Sequence, residues 1–262
     1  MLEGAINTYL DRQGWWTEKL AAVEMNLTAA RQLGDRRDEG WCLNSLGYTH
    51  RKRREDDKGL DYYQQSLPVW RELGHKEGEG TTLNNMAAIY RQQGKYELAL
   101  QTYQQSLSIC REGGDREGEG TTLNNIGMLY WAQGDYEQAL SSYEQALPIA
   151  REVGHKILEG TTLNNIASLY YAQGDYAKAV EYQEQALAIV RQLGDRASEA
   201  QSCWNLGRTY EDMGDLAEAE EYIAQAVQIA EQISHPELER FRDGLARLRA
   251  ARQGALESGG KG

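Results

Sequence analysis

The chain has 262 residues, a formal net charge of -12 and a sequence pI of about 4.9. That excess of acid argues against broad binding to nucleic acid or to an anionic membrane, because both need basic surface. A hydrophobic content of 40% is enough for a core, whereas a mean hydropathy of -0.70 is polar for a compact globule and suits a thin structure with much surface.

The opening stretch, MLEGAINTYLDRQGWW, has an acid at Glu3 and no basic segment ahead of an apolar run. It does not read as a signal peptide, and no run is long and apolar enough to span a membrane, so a cytoplasmic location is expected. Residues 1–35 read as a degenerate helix pair broken near Gly14. From there on the chain repeats every 40 residues. Gly94, Gly134, Gly174 and Gly214 share a column, with Arg54 at the matching place earlier in the chain. Tyr90, Tyr130, Tyr170 and Tyr210 share another, and Glu39, Glu79, Glu119, Glu159 and Glu199 a third.

Each period reads as two helices. Leu123, Ile126, Gly127 and Tyr130 recur at helical spacing, then AQGDY at 132–136 breaks the pattern with a terminating glycine and a capping aspartate. Ala139, Leu140, Tyr143, Ala146 and Leu147 form the second helix, which stops at Gly154. His75 and His155 stand where other periods place Asp35, Asp115 or Asp195, and read as turn residues. Small residues fill two columns: Gly47, Ala87, Gly127, Ala167 and Gly207, and Ala99, Ala139, Ala179 and Ala219. They mark where helices approach closely. Pro68 and Pro148 fall inside second helices, where each removes one backbone hydrogen bond.

The basic run RKRR at 51–54 is answered at once by Glu55, Asp56 and Asp57, and reads as a solvated turn. Cys42, Cys110 and Cys203 are odd in number and widely spaced, so reduced thiols are expected. Cys203 replaces a leucine of the other periods and reads as core. In the last segment Ser234 and Glu237 have capping-box spacing, and Leu238, Phe241, Leu245 and Leu248 form one apolar stripe. This predicts a capping helix over 234–254, then a polar tail, 255–262, too short to fold. The amino end has no such cap; its edge is left for pairing with another copy or for a preceding part of a longer protein.

The spacing of Leu123, Ile126, Gly127, Tyr130, Ala139, Tyr143 and Ala146 resembles the tetratricopeptide repeat. The unit is longer than usual, and LNN in the first helix with QGxYxxAL in the second is similar to kinesin light chains, Pins-type adaptors and bacterial proteins of this kind. The resemblance implies an all-α, right-handed α-solenoid of about six units. These are the degenerate 1–35, then 37–75, 77–115, 117–155, 157–195 and 197–233, and then the capping helix. Departures are clear. Leu43, Leu83, Leu123 and Leu163 stand where tryptophan is common, and Gln183 and Ile223 where tyrosine is common.

With Leu123 at zero and roughly 100° per residue, the buried stripe centres near about 350°, Asn124 near about 100° and Asn125 near about 200°. The asparagines of TTLNN, at 81–85, 121–125 and 161–165, are therefore expected to face away from the helix-pair core. The resemblance implies that first helices line a concave side and that asparagines there grip peptide backbones. The candidate ladder is Asn84, Asn124 and Asn164, with Asn44 before them, and Asn85, Asn125, Asn165 and Asn205. An amide matches the N–H and C=O of a peptide unit. The same amides could instead bond the neighbouring unit and fix repeat geometry; both readings stay open here. The varying positions Tyr48, Arg51, Arg91, Trp131 and Tyr171 are the candidates for specificity, since aromatic and arginine side chains are common anchors.

The expected function is a non-enzymatic scaffold binding a protein or an extended peptide. The alternative is the sensor region of a larger signalling ATPase of the nucleotide-binding, oligomerising (STAND) type, although the chain itself has no GxxxxGK[ST] loop. His50, His75, His155 and His235 are scattered over different periods, so no catalytic set, metal site or cofactor is expected.

Overall fold

The structure, a computed structural model, describes residues 2–259, and side chains from 17 to 253. Among the described residues the regular elements are all α-helices, and none is long and apolar enough to cross a membrane. The chain forms two compact units, Met1–Gln133 and Gly134–Gly262.

The first unit holds α1 (Leu2–Leu33), α2 (Arg36–Lys52), α3 (Asp56–Leu73), α4 (Lys76–Gln92), α5 (Tyr96–Gly113) and α6 (Arg116–Gln133). Here α2 pairs with α3 and α4 with α5, and each pair stacks on the next. The second unit holds α7 (Tyr136–Glu152), α8 (Lys156–Ala172), α9 (Tyr176–Leu193), α10 (Arg196–Met213), α11 (Leu216–Gln232) and α12 (Leu238–Gly259), with α8 on α9 and α10 on α11.

The punctuation follows the sequence closely. Gly94 and Gly214 end their helices at φ 74° and 84°, a region that costs a residue with a Cβ about 1 kcal/mol. Arg54 occupies the same place at φ 60° without that freedom. The next helices are capped from the side. Asp35 accepts from Asp38 N at 3.0 Å, and Asp195 from Ser198 N at 3.1 Å. His75 and His155 do the same work through Nδ1, accepting from Gly78 N at 3.0 Å and Leu158 N at 3.1 Å. They are turn residues, as their position in the period predicts. The helices α3 and α7 run through Pro68 and Pro148.

The small-residue columns allow the close approach expected of them. A Cβ on Gly47 would meet Tyr63 Cε1 at 2.6 Å, and one on Gly207 would meet Ile223 Cγ1 at 2.5 Å. Ala87, Ala99, Ala139, Ala167, Ala179 and Ala219 are all buried. Trp70 is fully enclosed, with Gly40 and Gly78 against its ring. Burying such a side chain contributes about 2–3 kcal/mol.

The glutamate column has a mechanical role. Arg31, Arg71, Arg111, Arg151 and Arg191 each donate from Nε to Glu39, Glu79, Glu119, Glu159 and Glu199 at 2.8–3.0 Å. These carboxylates are only 6–8% exposed. Each bond ties the end of one helix pair to the start of the next first helix. A second cation, Arg36, Arg116, Lys156 or Arg196, closes on the other carboxylate oxygen in four of the five.

Three sequence expectations are revised. First, α1 is one continuous helix through Gly14, not a pair. QGWW offers no capping side chain after the glycine, so the chain has no acceptor with which to start a second helix there. Second, the Ser234–Glu237 capping box does not form. Ser234 takes φ 51° as the terminator of α11, and His235 Nδ1 accepts from Glu237 N at 3.1 Å. α12 then begins at Leu238, and Phe241, Leu245 and Leu248 are buried as predicted, with Phe241 stacked on Trp204 at 4.9 Å. Third, α12 extends to Gly259 and so overlaps the expected tail, of which residues 260–262 lie outside the described residues.

Candidate functional site

The asparagines divide into two groups. Asn44 and Asn124 are buried, 6% and 4% exposed. Thr82 Oγ1 lies 2.8 Å from the Asn44 amide and 2.7 Å from Gly78 O. The hydroxyl has one proton, which it donates to Asn44 Oδ1 or to Gly78 O, and Asn44 Nδ2 has no partner of its own. Asn125 Nδ2 donates to Asn84 Oδ1 at 3.1 Å, again from one first helix to the next. Asn124 Nδ2 points at Met128 Sδ, 3.9 Å away. Asn165 also has a bonding partner. Asn205 accepts from Gln201 within α10 at 2.9 Å.

Much of the ladder is thus bonded inside the protein, and the wheel explains why. Positions at roughly 100° and 260° flank the buried stripe, and stacking turns one flank to the following repeat and the other to the preceding one. Asn44 and Thr82 meet across that seam. A wheel centred on the helix pair counts only the partner within the pair, and so leaves the seam looking like solvent.

Asn85 and Asn164 are different. Both are half-buried and make no side-chain hydrogen bond among the described residues. Each opens into a cleft between successive first helices. In the first unit the cleft lies between α4 and α6, lined by Thr81, Asn84, Asn85, Thr121 and Thr122, with Cys110 at its floor. In the second it lies between α8 and α10, lined by Thr161, Asn164, Gln201 and Asn205, with Ile189 and Val190 from α9. The thiol of Cys110 is pushed up to about 11 by burial, as is that of Cys203, so neither is a nucleophile at neutral pH.

The varying positions cluster at the last turns of the first helices. Tyr48 is exposed, and the Arg51 guanidinium lies 5.5 Å from its ring centroid. Arg51 and Arg91 are half-buried and make no ion pair among the described residues. Trp131 is half-buried and has a partner. The Tyr171 hydroxyl donates to Asp212 on α10, and that bond, with burial second, raises its pKa. Sequence reasoning noted the second-helix tyrosine position but did not connect it with this row. Tyr63, Tyr103, Tyr143, Gln183 and Ile223 form the matching column of the second helices. The two columns run side by side as Arg51 with Tyr63, Arg91 with Tyr103, Trp131 with Tyr143, Tyr171 with Gln183 and Glu211 with Ile223.

Stacked helix pairs with a constant frame and a varying first-helix face define an α-helical repeat protein. The sequence profile of the tetratricopeptide repeat matches residues 38–112, 78–152 and 158–232, and the chain belongs to that family. No curated protein sequence matches it. Among solved structures it is similar to BtubC (BKLC) from P. vanneervenii, with 24% identity, coverage of 84% of this chain and 92% of that one, and a TM-score of 0.74. It is also similar to PH0952 from Pyrococcus horikoshii, a signal transduction ATPase with a tetratricopeptide repeat sensor: 22% identity, 81% and 33% coverage, TM-score 0.70. The chain therefore spans a third of that ATPase. The quorum sensor NprR from B. thuringiensis matches at 23% identity over 93% and 67% of the two chains, with a TM-score of 0.66. At these identities the likeness establishes the fold.

Proposed function

We propose that the chain is a non-catalytic interaction scaffold, cytoplasmic, that holds an extended peptide or a flexible segment of a partner protein against its first-helix face. The observation that carries this is the pair of unspent amides, Asn85 and Asn164, each opening into an equivalent cleft of its own unit. Such an amide can bond both the N–H and the C=O of a ligand peptide, at about 1 kcal/mol net per bond. NprR, whose fold this chain shares, has been solved in complex with its cognate peptide NprX, which is consistent with peptide recognition on this fold.

The test is selection of binders from a phage-displayed library of random peptides, followed by affinity measurement on variants. Asn85→Ala with Asn164→Ala is expected to weaken the selected peptides while leaving the melting temperature unchanged. Asn125→Ala should do the reverse, because its amide is spent on Asn84. Unaltered affinity in the first variant would remove the cleft amides from the reading.

A second reading, a sensor region of a larger signalling ATPase, is favoured by the fold likeness to the repeat sensor of PH0952. It predicts a phosphate-binding loop encoded upstream in the same reading frame.

A further inference from the structure

Set against the 40-residue period, α1 carries two registers. Residues 17–33 stand in the columns of the second helices α3, α5, α7, α9 and α11. Residues 2–12 stand in the columns of the first helices, with Ile6, Tyr9 and Leu10 at the places of Ile126, Leu129 and Tyr130. Gly14 falls in the column of Gly134, Gly174 and Gly214, each of which ends a helix at positive φ. There Asp135, Asp175 and Asp215 follow and cap the next helix, accepting from Gln138 N, Lys178 N and Glu218 N. Trp15 stands in the place of that aspartate, and α1 continues from Leu2 to Leu33. At a rise of about 1.5 Å per residue, residues 2–12 lie further along the same axis and do not pair with residues 17–33 of their own helix.

The face of α1 that a first helix covers in the other pairs is correspondingly open. Asn26 is exposed, whereas its counterparts Ser66, Ser106, Ala146, Ala186 and Ala226 are all 0% exposed. Ser66 and Ser106 each donate to a carbonyl on the first helix of their own pair, Gly40 O at 3.1 Å and Gly80 O at 2.8 Å. Ala29 is exposed where Val69, Ile149, Ile189 and Ile229 are buried. The flank of α2 that looks towards a preceding first helix is open as well. Cys42 is half-buried in the column of Thr82, Thr122 and Thr162, which are enclosed, and Thr82 meets Asn44 of the preceding first helix across that seam.

A neighbouring face of α1 distinguishes the occupants. Gln65, Gln185 and Gln225 accept from Arg31, Arg151 and Arg191 of the preceding second helix at 3.0–3.2 Å. In α1 that column holds Met25, 73% exposed. A preceding repeat of the same kind would set its arginine against a thioether, at best a weak acceptor. An apolar face instead suits an isologous contact, in which a patch meets itself.

We infer that α1 is exchanged between two copies of this chain. Residues 2–12 of each copy lie as the first helix against residues 17–33 of the other, and the Met25 faces meet across the two-fold axis. Each exchanged contact is one that the other repeats make within the chain, so the exchange needs no new kind of packing. Gly14 is the hinge, held straight because Trp15 supplies no cap. The inference is independent of the peptide-binding reading and concerns the opposite end of the repeat from the cleft amides.

The experiment uses the full chain. Sedimentation velocity is expected to give the mass of two chains. Two single variants, Asn7→Cys and Val23→Cys, each with Cys42→Ser, are then unfolded, mixed, refolded and oxidised in air. In the same two columns a Cβ on Gly207 would lie 3.2 Å from Ile223 N, which brings a pair of cysteines there within disulfide reach. A covalent dimer is expected from the mixture and from neither variant alone. With both cysteines on one chain the bond should form between chains, and adding Trp15→Asp, which supplies the cap, should turn it into a bond within the chain. A monomer by sedimentation, or a dimer that forms no mixed disulfide, overturns the exchange. So does a bond within the chain before Trp15→Asp is added, because residues 2–12 are then folded back on their own helix. A bond that stays between chains after Trp15→Asp overturns the hinge assigned to Gly14.

Discussion

In the first unit the ends of the first helices carry Arg51 and Arg91, with Tyr63 and Tyr103 buried behind them; in the second the same columns hold Tyr171 with Gln183 and Glu211 with Ile223. The frame around them does not change. Arg71 holds Glu79 at 2.8 Å in the first unit, and Arg191 holds Glu199 at 3.0 Å in the second. His75 caps α4 as Asp195 caps α10. The same backbone thus displays a cationic, donor-rich face in one unit and a neutral to acidic one in the other. Residues that bond one repeat to the next repeat faithfully, because each must fit the same neighbour. The varying columns are not held to one partner: Tyr171 bonds Asp212 and Glu211 pairs with Arg247, whereas Arg51 and Arg91 pair with no carboxylate among the described residues.

The frame half of this comparison breaks first under overpacking. Gly47→Leu and Gly207→Leu each force a side chain into Tyr63 or Ile223, and each should cost about 3 kcal/mol. Thermal unfolding followed by circular dichroism checks it, and a large difference between the two variants would show that the frames are not equivalent. Removing a buried carboxylate comes next. Glu79→Ala and Glu199→Ala leave Arg71 and Arg191 unpaired at the seams, at about 2 kcal/mol each. Amide hydrogen exchange should localise each loss to the unit that carries the variant. A smaller effect has the opposite sign: Arg54→Gly relieves a left-handed residue and should stabilise the first unit by about 1 kcal/mol, whereas Gly214→Arg should destabilise the second by a similar amount.

The smallest expected effect is on acid stability. The bond from His50, chiefly, holds the Glu55 carboxyl below its ordinary range; at Glu159 burial pushes upward, and the Lys156 and Arg151 contacts outweigh it. A carboxyl whose folded pKa is depressed contributes stability that is complete above its unfolded value, near 4.5, and is lost as pH falls through the folded value. Glu55→Gln in the first unit and Glu159→Gln in the second should therefore lower the melting temperature at neutral pH, where that contribution is complete, and flatten its decline below pH 4.5.

The repeat, the helix pairs, the glycine stops and the aspartate or histidine caps were legible in the sequence because they are decided within one period, by turns and periodicity acting over a few residues. The core faces were legible for the same reason, down to Leu238, Phe241, Leu245 and Leu248 on the last helix. The positions of the two asparagine columns were not. An isolated helix has one buried stripe, whereas a stacked one has three, and only the packed neighbours reveal that Asn84 meets Asn125 and Asn44 meets Thr82 while Asn85 and Asn164 stay open. The unpartnered Nε atoms of Arg51 and Arg91 are likewise invisible in one dimension, since being without a partner is a property of surroundings assembled from distant parts of the chain. Local rules chose the elements; the stacking of one repeat on another chose which polar groups were spent within the protein.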